Sequence, residues 1–311
     1  MAKILVTGGA GYLGSIIVPH FLDLGHEVTV VDNFMYRQNS LAHVCTNDRF
    51  FVVNGDVRNA AVMAPLVTKA DIIIPLAALV GAPICKKDPV GATSINKDSV
   101  YMLLDRISPL QWILMPTTNS AYGTGDENNF CTEESPLNPI SQYAIDKVAV
   151  EKRLMNHPNA ISFRLATVFG MAPRMRIDLL INDFVYRAVY DRAVVLFEGS
   201  FKRNYLHVRD VARAFEHAID NFAQMKGEIY NVGLSEANLS KQELCEVIQQ
   251  FVPEFVFVEA PVGKDPDQRN YIVSNEKIER TGFKPEYSLE RGIQELIKGY
   301  TMIKNNQYAN I

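Results

Sequence analysis

The sequence predicts an α/β protein: a doubly wound parallel sheet followed by a smaller mixed α/β annex. Three observations carry this. Short β-branched runs alternate with stretches of helical period through the first half. A glycine-rich turn, Thr7-Gly8-Gly9-Ala10-Gly11-Tyr12-Leu13-Gly14, separates the first such run from the first helical stretch. The second half loses the alternation, so it is not a second copy of the same unit.

Each element can be justified in order. Lys3 to Thr7 reads as a strand, and Tyr12 to Leu24 as a helix bent at Pro19. Glu27 to Val31 and Phe50 to Val53 are strands. Ala70 to Pro75 is a continuous apolar run, as expected of a strand covered on both faces. Val90 to Ile107 reads as a helix, Gln111 to Met115 as a strand, Tyr143 to Asn156 as a helix and Ala160 to Leu165 as a strand. Helices follow at 178–191, 209–222, 241–251 and 289–304, with short strands at 194–197 and 255–258. Glu228 to Val232 is a strand that returns to the main sheet. The polar loop from Gly123 to Gln142 is either a functional excursion or plain surface.

Composition excludes several classes. The chain has 311 residues, 48% hydrophobic and 21% charged, with a formal net charge of −4. That is globular, and it is not the bulk charge of a nucleic-acid binder. The four cysteines show no metal-ligand spacing, so no metal site is expected. A strand-like run begins almost at once, which leaves no room for a signal peptide. The apolar stretch from Ile72 to Gly81 is too short to span a bilayer and contains Pro75. A cytoplasmic protein is expected, with no membrane partner.

The glycines at 8, 11 and 14 (or 9, 11 and 14) follow a strand and open a helix. In that context they let the backbone approach a pyrophosphate, which the helix N–H groups and dipole then hold. Asp32 ends the second strand, roughly twenty residues further on, where a carboxylate accepts hydrogen bonds from a ribose. It would repel a 2′-phosphate, so NAD is expected rather than NADP. Asp56 after the third strand suits either an adenine contact or a simple turn.

Tyr143 and Lys147 form Y-x-x-x-K at the start of a helix, on one face. A tyrosine at its free pKa of about 10 is a poor base at neutral pH. Neighbouring cations favour the phenolate, so Lys147 and an oxidised nicotinamide are expected to lower it together. Thr118, expected just beyond the fifth strand, lies where a hydroxyl could position the reacting group. Its plainer reading is a turn cap.

With these elements in hand, the chain resembles an extended short-chain dehydrogenase/reductase. More narrowly, it is similar to the NAD-dependent nucleotide-sugar epimerase/dehydratase family. The resemblance rests on Thr7 to Gly14, Asp56-Val57, Leu76-Ala77-Ala78, Asn96, Thr117 to Gly123, Tyr143 to Lys147 and Arg203 to Asp210. It implies a Rossmann domain at 1–165 that binds NAD, with 208–232 returning to it. It also implies a nucleotide-sugar domain from 166–207 and 233–311. Tyr143 would be the base, Lys147 its partner and Thr118 the family's Ser/Thr. Gly8, Gly11, Tyr12, Leu13, Gly14, Asp32, Asn33, Asp56, Val57, Leu76, Ala77, Ala78, Asn96, Thr117, Tyr143 and Lys147 would contact NAD. Val80, Thr118, Asn119, Thr167, Asn182, Arg203 and Arg269 would contact the sugar nucleotide, the two arginines gripping its pyrophosphate. Arg174 and Arg176 read more simply as surface residues.

Two departures refine the expectation. Asn119-Ser120 stands where the family's dehydratases place Asp-Glu, so water elimination is not expected. Thr167 stands where many members have Asn, which argues against a standard galactose-type 4-epimerase. Pro75 to Cys85, Thr117 to Ser120 with Cys131 to Pro136, and Arg164 to Phe169 with Pro173 to Arg176 are similar to a branch acting on GDP-linked heptoses in surface-polysaccharide pathways. That branch oxidises carbon 4 of GDP-D-glycero-α-D-manno-heptose. The alternatives are a nucleotide-sugar 4-epimerase of UDP-glucose/UDP-galactose type using the same residues, and a non-catalytic NAD-sensing module, which would be expected to lack the Tyr or the Lys. The family also implies a homodimer through a four-helix bundle, with Val100, Leu103, Leu104, Val148 and Val150 as contacts unless they face their own sheet.

Overall fold

The computed structural model describes residues 1–124, 130–263 and 269–303. The chain opens with β1 (Lys3–Thr7), α1 (Gly14–Asp23), β2 (Glu27–Asp32), β3 (Phe50–Asn54), α2 (Ala60–Lys69) and β4 (Ile72–Pro75). Then come α3 (Ala82–Lys87), α4 (Pro89–Thr93), a π-helical turn at Ser94–Asp98 and α5 (Ser99–Leu104). β5 (Trp112–Thr118), α6 (Gln142–Leu154), β6 (Ala160–Leu165), β7 (Thr167–Phe169), α7 (Leu180–Tyr190) and β8 (Ala193–Leu196) follow. The chain continues with β9 (Lys202–His207), α8 (Val208–Asp220), α9 (Phe222–Met225), β10 (Glu228–Val232) and β11 (Asn238–Ser240). It ends with α10 (Lys241–Phe251), β12 (Val256–Glu259), α11 (Glu276–Glu279) and α12 (Leu289–Tyr300).

Seven parallel strands form the main sheet in the order β10-β6-β5-β4-β1-β2-β3. This is the doubly wound α/β fold that the alternation predicts. Every residue of β4 and of β6 is buried, because helices cover both faces. Chain connections diverge on either side of β1, so a crevice opens between the carboxyl ends of β1 and β4. The annex holds a three-stranded sheet, β11-β9-β7, and a two-stranded one, β12-β8. One buried cluster runs through both parts, from Val6 and Ile17 to Leu244, Ile293 and Tyr300.

Several elements differ from the sequence reading. α1 passes through Pro19 as one continuous helix. α2, capped by the Asn59 side chain on Ala61 N–H, went unread because it is short and holds Pro65. The helix expected from Val90 to Ile107 is broken, and starts earlier, at Ala82. β5 extends through Thr118, so that residue closes the strand rather than following it. Lys304 and part of the 123–142 loop lie outside the described residues. Val100, Leu103 and Val150 are packed in their own sheet's core, and Leu104 lies against it, so they are not dimer contacts.

A buried carboxylate joins the central elements. Glu151, on α6, accepts from Thr117 Oγ1 of β5 at 3.0 Å and from Ser162 Oγ of β6 at 2.8 Å. Arg164 Nη2 of β6 donates to it at 2.7 Å. Arg164 and Glu151 are both 3% exposed. Removing one partner strands the other's charge away from water. Glu151→Ala is therefore expected to cost roughly 3–5 kcal/mol. Urea unfolding with an unchanged midpoint would contradict this.

Candidate active site

The crevice is a cavity of about 520 Å³. Its first wall is the glycine turn. Gly8 has φ +65°, and a Cβ there would lie 2.6 Å from Ala77 Cα, so only glycine fits. A Cβ on Gly14 would lie 2.3 Å from the Gly9 carbonyl oxygen. Gly14 is therefore needed for packing within the turn, and it does not line the cavity. Gly11 does line it, and an added Cβ would meet only Gly8 O, at 3.1 Å. A side chain at that position would stand in the crevice. Tyr12 and Leu13 also line it. Tyr12 Oη donates to Gly170 O at 2.7 Å and so ties the turn to the annex.

Asp32 ends β2 at the same wall. Its carboxylate accepts from Ala10 N–H at 3.0 Å and from Phe34 N–H at 2.8 Å. Burial raises its pKa, against those N–H donors. Asn33, Asp56, Val57, Leu76, Ala77 and Ala78 complete this end. Asp56 is also a turn residue: Arg58 N–H donates to it at 2.9 Å, and the Arg58 guanidinium holds its carboxyl below the usual range.

The other end gathers Thr118, Tyr143 and Lys147. Ser141 caps α6 by accepting Ala144 N–H, which places Tyr143 in the first turn and Lys147 one turn on. Lys147 Nζ donates to Pro116 O at 3.2 Å and lies 5.9 Å from the Tyr143 ring centroid. Burial pushes Lys147 down to about 8. Burial also pushes Tyr143 up to about 12, opposed by Arg176 and Arg269. In the protein alone burial dominates, and arginines from the annex side oppose it. Thr118 Oγ1 accepts from Ser120 N–H at 3.1 Å and donates to Ser120 Oγ at 2.9 Å. That is the turn cap, made by a side chain that also faces the cavity.

The substrate-side residues divide. Val80, Thr167, Arg203 and Arg269 line the cavity. Arg269 donates to Ser120 Oγ, so it stands beside Thr118. Asn182 does not line the cavity. Its Oδ1 accepts Gly170 N–H at 3.0 Å and its Nδ2 donates to Arg176 O at 2.9 Å, so it shapes the annex instead of meeting a phosphate. Asn96 is likewise absent from the lining. It accepts Leu79 N–H at 2.8 Å and donates to Leu79 O at 2.9 Å, and thereby pins the loop after β4. Asn119 is 1% exposed and turned away, whereas Ser120 beside it faces in. Thr117 lines the cavity, but its hydroxyl is bonded to Glu151.

Arg174 and Arg176 are the main omission of the sequence reading. Only 4% and 8% exposed, they line the cavity and are not surface residues. Arg174 Cζ lies 4.7 Å from the Tyr36 ring centroid, and Arg176 Nε donates to Asp178 at 3.0 Å. Their Pro-Arg-x-Arg pattern carries no spacing signal. Among the described residues no group of His, Cys, Asp and Glu could hold a metal ion, and no helix is long and apolar enough to cross a membrane.

A family model described as the NAD dependent epimerase/dehydratase family matches residues 4–233. The chain is 28% identical to the low-salt glycan biosynthesis protein Agl12 of Haloferax volcanii, over 96% of this chain and 98% of that one. It is 26% identical to a putative UDP-glucose 4-epimerase of Methanocaldococcus jannaschii, over 97% and 99%. The dTDP-glucose 4,6-dehydratase of Bacillus anthracis, solved with NAD, superposes with a TM-score of 0.83 at 22% identity, covering 99% of each chain. The residues present fit that cofactor. A glycine without which the crevice would be filled, an Asp at the end of β2 and a buried Lys at the far end are all in place.

The buried lysine yields a pH test. Its native pKa lies below the unfolded value, so the native state sheds the proton first and stability rises with pH between about 8 and 10.5. Lys147→Met is expected to melt higher than wild type at pH 7, with the gap narrowing across that window. A gap that does not change with pH would refute the burial of a charged lysine.

Proposed function

The chain belongs to the NAD-dependent epimerase/dehydratase family, and within it we propose that it oxidises the carbon-4 hydroxyl of a nucleotide diphosphate sugar to a 4-keto sugar. It is an NAD-dependent enzyme of nucleotide-sugar chemistry. The substrate we favour is GDP-D-glycero-α-D-manno-heptose, which makes the protein a 4-dehydrogenase of surface-polysaccharide synthesis. One observation carries the reading: Thr118, Tyr143 and Lys147 meet at one end of the cavity, beside an Asn119-Ser120 pair that has no acid. Neither side chain titrates near neutral pH, which removes the proton donor that water elimination needs.

The roles we assign are these. Gly8, Gly11, Tyr12, Leu13 and Asp32 would hold NAD at the first wall, and Lys147 its nicotinamide ribose. When bound, the oxidised cofactor accepts the hydride from the sugar carbon. Tyr143 Oη takes the hydroxyl proton. Arg176 and Arg269 favour the phenolate it needs against the cost of burial. Thr118 positions the reacting hydroxyl. Arg203, which lines the cavity, would bind the diphosphate, for which a guanidinium fork is suited. The second reading is a 4-epimerase working through the same residues, and the Methanocaldococcus relative carries that name.

Mass spectrometry separates the two. Incubation with NAD and GDP-D-glycero-α-D-manno-heptose, with UDP- and dTDP-hexoses in parallel, is expected to give a product two hydrogens lighter. An isomer of unchanged mass would favour the epimerase. Tyr143→Phe should abolish either outcome, and full activity in that variant would remove the tyrosine as base.

We further propose a homodimer. Val90 on α4, 82% exposed, and Ile145 on α6, 45% exposed, are apolar side chains left outside the core. Light scattering at the monomer mass at micromolar concentration would reject it.

A further inference from the structure

Ser120 has no part in the roles above, yet its hydroxyl takes two hydrogen bonds at the reacting end. It is 2% exposed and lines the cavity. Thr118 Oγ1 donates to it at 2.9 Å, and Arg269 Nη1 donates to the same oxygen. Ser120 N–H returns a bond to Thr118 Oγ1 at 3.1 Å.

Counting donors and acceptors shows what this arrangement does. A hydroxyl has one proton and two lone pairs. Thr118 spends its proton on Ser120 and one lone pair on Ser120 N–H. One acceptor site remains for the sugar. That suits the sugar hydroxyl at rest, whose one proton swings from Thr118 to Tyr143 Oη before the tyrosine takes it. It does not suit a carbonyl oxygen, which needs a donor. Turning both hydroxyls reverses the 2.9 Å bond. The order then runs Arg269 to Ser120 to Thr118, and the Thr118 proton faces the reacting oxygen. No proton changes owner.

We propose that Ser120 is a positioning residue that relays the Arg269 charge to Thr118, whose hydroxyl switches from acceptor to donor as the sugar hydroxyl becomes a carbonyl. This rests on the oxidation proposed above. Linked hydrogen bonds polarise one another, so the guanidinium strengthens the last donor in the chain without touching the sugar. The plainer role is a serine that merely packs the 3₁₀ turn at Asn119–Tyr122.

The test uses the full chain with NAD bound and the nucleotide sugar that wild type turns over, following NADH absorbance in single turnovers. Ser120→Ala is expected to slow hydride transfer roughly 10–100-fold, less than the loss of a donor that touches the oxyanion directly. KM should stay within about twofold, because the chain acts on the product-like state. Ser120→Thr keeps the hydroxyl and should recover most of the rate. Thr118→Ala with Ser120→Ala should be no slower than Thr118→Ala alone, because Ser120 acts only through Thr118. Thermal melts of each variant establish folding. A folded Ser120→Ala at wild-type speed, or losses that multiply in the double variant, would overturn the relay. A wild type that transfers no hydride from any nucleotide sugar would overturn the function itself, and the relay with it.

Discussion

The reacting end depends on the carboxylate of Glu151. It stands on α6 one turn beyond Lys147, and it gathers hydroxyls from β5 and β6 and the guanidinium of Arg164. Thr118 ends β5, while Tyr143 and Lys147 lie on α6. The distance between hydroxyl and phenol is therefore set by how that helix sits on those strands. Apolar packing alone allows a helix to slide, because dispersion contacts have little direction. A buried carboxylate held by three donor residues does not slide cheaply. Arg164 extends the restraint outward, donating to Tyr122 Oη at 3.0 Å, and Tyr122 in turn donates to Asn231 Oδ1 at 2.7 Å. The seventh strand, β10, is thus tied to the same point.

The electrostatics of the cavity follow from its two walls. The glycine-turn side offers backbone N–H groups and Asp32. The annex side offers Arg174, Arg176, Arg203 and Arg269. A ligand carrying two diphosphates, one on the cofactor and one on the sugar nucleotide, matches such a cleft better than a neutral one. Tyr143 sits where the arginine field is felt. Closing the cavity around its ligands would strengthen that field by excluding water.

What could be read in advance was whatever depends on local spacing. The glycine turn, Asp32 and the Tyr143/Lys147 pair are short-range patterns, and each lines the cavity. Orientation was not legible. Asn119 and Ser120 are adjacent and both buried, yet only Ser120 lines the cavity. Asn96 and Asn182 have residue types suited to ligands, but backbone groups brought close by the fold claim their amides. Arg174 and Arg176 were hidden for the opposite reason: the loop before α7 folds back across the crevice, and its N–H at 174 donates to Ser15 Oγ. The direction of the Tyr143 shift needed the depth of burial, which spacing cannot supply.

The bond from Tyr12 to Gly170 also governs how the molecule comes apart. It fastens the glycine turn to the annex, and the apolar cluster is continuous across that junction. The far face of the sheet has a core of its own, but the near face shares its core with the annex, so losing the annex would strip apolar cover from one side of a parallel sheet. Unfolding should accordingly be a single cooperative transition, with no half-folded species in which the sheet survives alone.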